Sequence, residues 1–365
     1  MRVFFATPDP NRPGAVAVAD ALLSQGHDWQ VLSYARPEES RQVLEQDAAD
    51  AIVVDAALDD AEALLRHLLY TAPQTARLVI GTTEHDGIEP RLQALAHGLL
   101  SASSPVEAIA EALVAYAELA QRLDRPALRA QVGALTRLPG APRLYMAICK
   151  ALEDPNVEVA TIAEQVMSDP ALGARVLQIA NSAMYGAGRQ IASIPFAVSR
   201  LGLKTTRNLV LAAELYAFSG PEAARAERVR QRSLLAAWLA PRLMAPQIDP
   251  DVVATAALLA GISEMLPELD DGGVPALPAV PPVQDEAAAY LMGLWQLPSL
   301  LQQAVAWQRT PRLSGGGFGV VGAVHVATAL AFGRAVDQVW LERCGMAAHL
   351  SGWRELADRM DRSAA

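Results

Sequence analysis

The chain has few of the residues that build metal sites and disulfide frameworks. Its 365 residues include six histidines and two cysteines. Cys149 and Cys344 stand far apart and form no CxxC pair, so the pattern indicates neither a disulfide scaffold nor a thiolate metal site. Aromatic residues make up only 5% of the chain. The remaining composition is apolar and rich in alanine, which favours helices over an all-β fold.

Long apolar runs are missing as well. No apolar stretch of 18 residues could span a bilayer, and the N-terminus MRVFFATPDP lacks the long apolar core of a secretory signal. We therefore expect a cytoplasmic protein with no membrane partner.

Positive charge is scarce in the first third of the chain. Residues 1–120 contain seven Lys or Arg against eighteen Asp or Glu, a net charge of −11, and lysine is absent from residues 1–149. The residues after 120 have a net charge of +1. An acidic first part repels a phosphate backbone, and a near-neutral second part does not attract one. We therefore expect no nucleic-acid partner.

The first 120 residues alternate between strand and helix patterns. Short apolar runs with strand character lie at 2–7, 51–55 and 77–82, and a further strand is expected at 29–33. Helical patterns lie between and after them, at 14–25, 38–47, 60–70, 89–97 and 105–123. Such alternation is typical of a parallel sheet with helices on both faces.

The rest of the chain shows helical patterns separated by proline and glycine. A length of 365 residues allows two domains. We predict an α/β domain at 1–120, a linker helix at 121–135, an all-α domain at 136–345 and a C-terminal tail at 346–365.

Local signals place helix ends in the middle of the chain. Asp169 can cap a helix whose first residue is Pro170, where a missing N–H costs nothing. Ser193 marks the start of a short helix and Gly202 its end, and Thr205 is a candidate cap for the next helix.

The segment 169–212 also carries a recognisable motif. It resembles the signature of the HDOD family, the HD-related output domains of bacterial signalling proteins. The matching positions that we take as interaction candidates are Asp169, Pro170, Arg175, Asn181, Ser182, Tyr185, Arg207 and Asn208. The resemblance implies an all-α HDOD fold and a role in signal transduction. The polar members either tie helices together through buried hydrogen bonds or contact a partner directly.

The first domain resembles the receiver domain of response regulators, in its element order and in residues 76–104. The resemblance implies a flavodoxin-like parallel sheet. A working receiver needs a metal and a lysine to neutralise the phosphoryl group beside its acceptor aspartate. Asp55 matches the acceptor, but Thr7 and Pro8 follow the first strand, and Ala102 stands at the lysine position. We therefore predict a pseudo-receiver in which Asp55 is a vestigial phosphoacceptor position that merely ends a strand.

The HDOD family is related to metal-dependent HD phosphohydrolases, which hold metal through histidines and aspartates. By this resemblance the His-Asp pair falls on Ala260 and Gly261, a later His pair on Trp307 and Gln308, and a further Asp on Thr328. We call these positions, together with Arg232, the vestigial pocket. The family's metal ligands are missing there, so we predict no metal, no cofactor and no enzymatic activity.

Two other motifs have structural explanations. His325 lies in an apolar helical pattern, GAVHVATALAF, and is predicted to be a core residue rather than a ligand. The helix expected at 194–201 and the helix after it resemble a helix-turn-helix. The second helix is too apolar to lie in a DNA groove.

The sequence thus predicts a non-catalytic bacterial signalling regulator of the two-component type. The pseudo-receiver would control an HDOD output domain that binds a protein partner, with a homodimer also open. We expect packing or dimerisation through residues 105–130 to expose or hide a surface near 181–189 and Arg207. The alternative is a nucleotide-binding sensor, for example of cyclic di-GMP, that uses the vestigial pocket around Arg232, Gln308 and Thr328. An enzyme is the third reading.

Overall fold

The structure, a computed structural model, describes residues 1–8, 14–34, 49–81, 90–101, 104–122, 125–135, 142–168, 173, 174, 176, 177, 192–216, 220–243, 248–269, 281–295 and 297–364. The chain forms two compact units. The first, which we call the α/β unit, contains the described residues up to 135 and residues 269, 290–295, 297 and 298. The second, the helical unit, contains the described residues of 142–268, 281–289 and 299–364.

The described part of the α/β unit contains one parallel sheet. Its strands are β1 (Arg2–Ala6), β2 (Gln30–Tyr34), β3 (Ala51–Asp55), β4 (Ala76–Gly81) and β5 (Gly98–Ser101). Its helices are α1 (Ala15–Ser24), α2 (Ala61–Thr71), α3 (Pro90–Leu95), α4 (Val106–Arg122) and α5 (Pro126–Gly133). The strand order is β2-β1-β3-β4-β5 with parallel pairing throughout. This is the doubly wound, flavodoxin-like order, which reverses direction between β1 and β3.

Burial explains why β3 is the centre of this sheet. All five residues of β3 are buried, because helices cover both faces of a doubly wound sheet. On one face, Ile52 and Val54 share a core cluster with Leu64 and Leu68 of α2. Each such side chain contributes about 2 kcal/mol of burial free energy. The prediction of a parallel sheet with helices is confirmed, although β5 was not predicted, because four residues are too short for a pattern.

The described part of the helical unit consists mainly of helices. They are α6 (Arg143–Ala151), α7 (Val159–Met167), α8 (Ile194–Leu201), α9 (Leu203–Leu215), α10 (Ala223–Leu239), α11 (Pro250–Ala260), α12 (Val283–Leu294), α13 (Ser299–Ala306), α14 (Val320–Ala331), α15 (Gln338–Arg343) and α16 (Leu350–Ala364). Helix α11 packs against α10, α13 and α14. Its residues from Val253 to Ala260 are all buried, so α11 is a central helix of the core. From Tyr290 onward, α12 belongs to the α/β unit.

The start and end of α8 match the local signals in the sequence. Ser193 precedes α8 and its hydroxyl accepts the Phe196 N–H at 3.5 Å. Gly202 follows with φ of +80°, a conformation that favours glycine. The prediction for Thr205 was wrong, because α9 begins at Leu203 and Gly202 already occupies the capping position.

The predicted linker and the predicted C-terminal tail each contain a helix that belongs to one of the two units. Within the predicted linker 121–135, α5 belongs to the α/β unit. Within the predicted tail 346–365, α16 packs against α10 and α14. Among the described residues, no helix is both long enough and apolar enough to cross a bilayer.

Candidate functional site

The carboxyl ends of β1 and β3 bring Thr7 and Asp55 together. Ligands of doubly wound sheets bind at this edge, where the strand order reverses. Asp55 is buried; its Oδ1 accepts the Ala57 N–H at 2.9 Å, and its Oδ2 accepts the Thr7 hydroxyl at 3.4 Å. Both carboxylate oxygens therefore have partners within the strand ends. Ala102, the predicted lysine position, lies outside the described residues.

Most of the predicted signature residues lie outside the described residues. These are Asp169, Pro170, Arg175, Asn181, Ser182 and Tyr185. The two described members, Arg207 and Asn208, lie on α9.

The described signature residues connect three helices. Arg207 Nη2 donates to Asn208 Oδ1 at 3.3 Å and to the Thr255 hydroxyl of α11 at 3.4 Å. The Thr255 hydroxyl in turn donates to Asn208 Oδ1 at 3.2 Å. The Arg207 guanidinium also lies 5.8 Å from the ring centroid of Tyr145 on α6. These contacts join α6, α9 and α11 at one polar cluster.

Glu214 on α9 is a second tie between helices, which the sequence did not single out. Its two carboxylate oxygens accept the Leu144 and Tyr145 N–H groups, each at 2.9 Å. These N–H groups lie in the first turn of α6, where they have no partner within the helix. The negative charge also opposes the positive end of the α6 dipole.

Glu214→Ala is therefore expected to lower the free energy of unfolding by about 1–2 kcal/mol. Urea unfolding measured by circular dichroism would test this. The matched control is Glu164→Ala on the exposed face of α7, for which we expect a change within about 0.5 kcal/mol. Equal losses in the two variants would contradict the capping role.

Gln308 of the vestigial pocket lies among buried hydrogen-bonding groups. Gln308 is 1% exposed. Its Nε2 lies 3.0 Å from the Ala260 carbonyl oxygen, 2.7 Å from the Ser263 hydroxyl and 3.0 Å from Asp285 Oδ1. An amide nitrogen thus stands beside Ala260, one of the positions where the resemblance places a metal ligand. Its two N–H groups face these three oxygens.

Gly261 marks a close approach between helices at the same place. A Cβ atom added there would lie 1.9 Å from Ser233 Oγ and 2.5 Å from Tyr216 Oη. Both hydroxyls are fixed, since Tyr216 Oη lies 2.9 Å from the Leu258 carbonyl oxygen and 3.0 Å from Ser233 Oγ. Only glycine fits, so this position has no room for the aspartate of an HD enzyme.

The other members of the vestigial pocket divide between the interior and the surface. Thr328 is fully buried, and its hydroxyl donates to the Val324 carbonyl of its own helix at 2.7 Å. Trp307 is half-buried, and Arg232 is exposed. The placement of Arg232 in the pocket therefore stays a prediction. Adjacent helix positions differ by about 100° in direction, and on α10 the buried neighbour is Ser233.

A charged network that the sequence did not predict lies beside Gln308. Arg309 contacts both Glu264 and Asp285, with 3.2 Å from its Nη1 to Asp285 Oδ1. Arg334 Nη1 lies 3.0 Å from Glu264 Oε1. The one sign of this network in the sequence was Asp285, a single carboxylate on the otherwise apolar face of α12.

Asp285 is an unusual carboxylate because it is fully buried. Its Oδ2 atom has no hydrogen-bond partner among the described residues. Burial raises the pKa of Asp285 to about 7, and the attraction of Arg309 offsets only part of this rise. The network can therefore change its charge near neutral pH.

His325 is a structural residue of α14. Its Nδ1 lies 2.7 Å from the Gln308 carbonyl oxygen, and its Nε2 accepts the Asp337 N–H at 2.9 Å. The accepting Nε2 assigns the proton to Nδ1, which leaves the ring neutral. Burial lowers the pKa of His325 as well. Within the described part of the chain, no group of three His, Cys, Asp or Glu side chains is arranged to hold a metal.

The burial of α9 argues against the interpretation as a DNA-binding helix-turn-helix. Leu209, Val210 and Leu211 near its centre are fully buried. Lys204 at its start is paired with Asp251 at 2.5 Å. The helix is thus a core element and cannot enter a DNA groove as it stands.

Three solved structures resemble this chain at low identity. An HDOD domain protein of unknown function from Geobacter sulfurreducens has a TM-score of 0.48 and 20% identity, over 65% of this chain and 93% of that one. A protein provisionally named a phosphohydrolase, from Shewanella amazonensis SB2B, has a TM-score of 0.46 and 23% identity, over 65% and 95%. The MmoQ response regulator of Methylococcus capsulatus str. Bath has a TM-score of 0.28 and 19% identity, over 58% and 95%.

Sequence comparison adds a relative and a family match. An uncharacterized protein of Treponema pallidum (strain Nichols) is 33% identical over 73 residues, which are 20% of this chain and 14% of that protein. The model of the HDOD domain matches residues 138–267. This range includes α6 to α11 and the residues Ser263 and Glu264. The chain therefore contains an HDOD domain at residues 138–267, as the segment 169–212 predicted.

Proposed function

We propose that this chain is a non-catalytic signal-transduction regulator of a bacterium, in which the α/β unit acts as a pseudo-receiver for an HDOD output unit. The output unit acts by binding a protein partner. The HDOD match and the strand order β2-β1-β3-β4-β5 support these two assignments.

One observation carries the non-catalytic part of the proposal. The Gln308 amide nitrogen lies within 3.0 Å of oxygens of Ala260, Ser263 and Asp285, and Gly261 has no room for a side chain. A hydrolytic metal would need ligands with free lone pairs and an open position for water. The vestigial-pocket positions carry no carboxylate, imidazole or thiolate side chain that could serve as such a ligand.

The pseudo-receiver part rests on Asp55. Its carboxylate accepts the Thr7 hydroxyl and the Ala57 N–H, so it is tied into the strand ends. The sequence has no lysine before Lys150 to assist phosphoryl transfer. In this proposal the α/β unit docks or dimerises through residues 105–130. That event exposes or hides an output surface near 181–189 and Arg207.

Affinity capture from the source bacterium tests this proposal. Tagged wild type should retain a partner, and Asp55→Asn should retain it equally, because no phosphoryl group is involved. Arg207→Ala should retain at least fivefold less, since it removes the guanidinium that contacts Asn208 and Thr255. Arg200→Ala, an exposed arginine at the end of α8, is the matched control. Equal capture by all four proteins would contradict the proposal.

The alternative, a nucleotide sensor, has one observation in its favour. Arg309 and Arg334 lie beside Gln308 with about a quarter of each side chain exposed, at 27% and 26%. Phosphates bind well to paired guanidinium groups. Both groups already contact Glu264, so a ligand would have to displace that carboxylate. Calorimetry with cyclic di-GMP tests this alternative, which requires a saturable heat that Arg334→Ala removes.

A further inference from the structure

Arg77 is a buried arginine at the amino end of β4. It is 3% exposed. Among the residues that the structure describes, no carboxylate pairs with it, and burial lowers its pKa to about 10. A buried guanidinium without a counter-ion is costly unless dipoles and hydrogen bonds compensate its charge.

Helix ends supply this compensation. Arg77 Nε donates to the Leu95 carbonyl at 2.8 Å, Nη2 to the Gly133 carbonyl at 2.9 Å and Nη1 to the Pro73 carbonyl at 3.3 Å. Leu95 and Gly133 are the last residues of α3 and α5, and Pro73 follows the end of α2 by two residues. The last carbonyls of a helix lack partners and carry its negative partial charge. Two helix ends and the turn after a third helix therefore share one cation.

Two neighbours make this junction specific. His97, which directly precedes β5, lies with its Nε2 2.8 Å from Arg77 Nη2. Burial and the arginine charge hold the pKa of His97 well below its usual value, so the ring is neutral. At Gly133, an added Cβ would lie 1.8 Å from the Pro73 carbonyl oxygen, so α5 approaches the end of α2 with no room for a side chain.

The opposite end of β4 reaches the candidate phosphoacceptor edge. Ile80 pairs with Asp55 in the sheet register, and the Ile80 carbonyl accepts the Ala56 N–H at 2.8 Å. A strand rises by about 3.3 Å per residue, so Arg77 and Ile80 are about 10 Å apart along β4. One short, buried strand thus connects the Asp55 edge with the end of α5.

We infer that Arg77 is a latch that holds α5, the last described helix before the chain enters the helical unit, against the α/β unit. When β4 moves at the Asp55 edge, Arg77 moves with it, and the contacts that hold α5 become weaker or stronger. The use of this latch in signalling rests on the proposed function, whereas the latch itself does not.

Hydrogen exchange of the full chain, read by mass spectrometry, tests the latch. Arg77→Lys keeps the charge but removes the planar guanidinium group that donates to three carbonyls. The amides of α5 should exchange about tenfold faster or more, while those of β3 and β4 keep wild-type protection. Gly133→Ala should give the same local change from the helix side. Arg66→Lys, on the exposed face of α2, is the matched control.

Two results would overturn the latch. One is unchanged exchange of α5 in both variants, which means that Arg77 does not hold the helix. The other is equal loss of protection in α5, β3 and β4, which means that Arg77 is a general core residue. Neither result depends on the partner-capture experiment, so the latch and the proposed function can fail separately.

Discussion

Gly261→Asp is expected to unfold the helical unit rather than to create a metal site. This substitution places an aspartate where the resemblance to HD phosphohydrolases puts the Asp of their His-Asp pair. The new Cβ would lie 1.9 Å from Ser233 Oγ, in a core where Tyr216 and Ser233 are held by hydrogen bonds. Overpacking and the burial of a carboxylate without a cation should together lower the free energy of unfolding by more than about 3 kcal/mol. Thermal unfolding followed by circular dichroism would measure the loss.

Gly352→Asp provides the matched control for this substitution. Gly352 lies in the first turn of α16, is exposed, and has no atom within 4 Å of an added Cβ. An aspartate there should be neutral or slightly stabilising, because it opposes the positive end of the helix dipole. If Gly261→Asp were as stable as wild type and bound Mn²⁺, the pocket would be open and the non-catalytic proposal would lose its main support.

Asp285→Asn is expected to change how stability depends on pH. Burial raises the folded-state pKa of Asp285 from 3.8 to about 7. The folded protein therefore binds this proton more tightly than the unfolded chain, and stability falls as pH rises between these values. Between pH 5 and pH 7, the free energy of unfolding of the wild type should fall by about 2 kcal/mol more than that of the variant. His325 has the opposite sign, since its pKa is lowered, but it contributes equally to both proteins.

Urea unfolding at pH 5 and pH 7 would measure this difference. Tryptophan fluorescence suits the experiment, because four of the six tryptophans lie in the helical unit. The control is Asp358→Asn on the exposed face of α16, which should follow the wild-type profile. Parallel profiles of wild type and Asp285→Asn would show that Asp285 is ionised throughout this range.

Sequence patterns predicted the elements that local chemistry determines. The apolar run 51–55 became β3 with the same bounds, because a central parallel strand is apolar at every position. Ser193 and Gly202 marked the ends of α8, since a hydroxyl cap and a positive φ are local requirements. The HDOD domain was identified because its motif is carried by many residues in register.

The polar networks could not be predicted in the same way. Asp285, Gln308 and Glu264 lie far apart in the chain and meet only after helices pack. Their pattern in the sequence gives no sign of which partner each will find. Arg77 is a similar case, because a lone arginine in a strand does not reveal the helix ends that surround it.

The most direct test of the account is phosphodiester hydrolysis by the full-length wild type. The protein is incubated with Mn²⁺ and bis(p-nitrophenyl) phosphate, and release of p-nitrophenol is followed against buffer with the same metal. If the contacts of Gln308 and the close packing at Gly261 exclude a hydrolytic metal, the rate should equal that of buffer at every protein concentration. A rate that rises with protein concentration and disappears with EDTA would contradict the account.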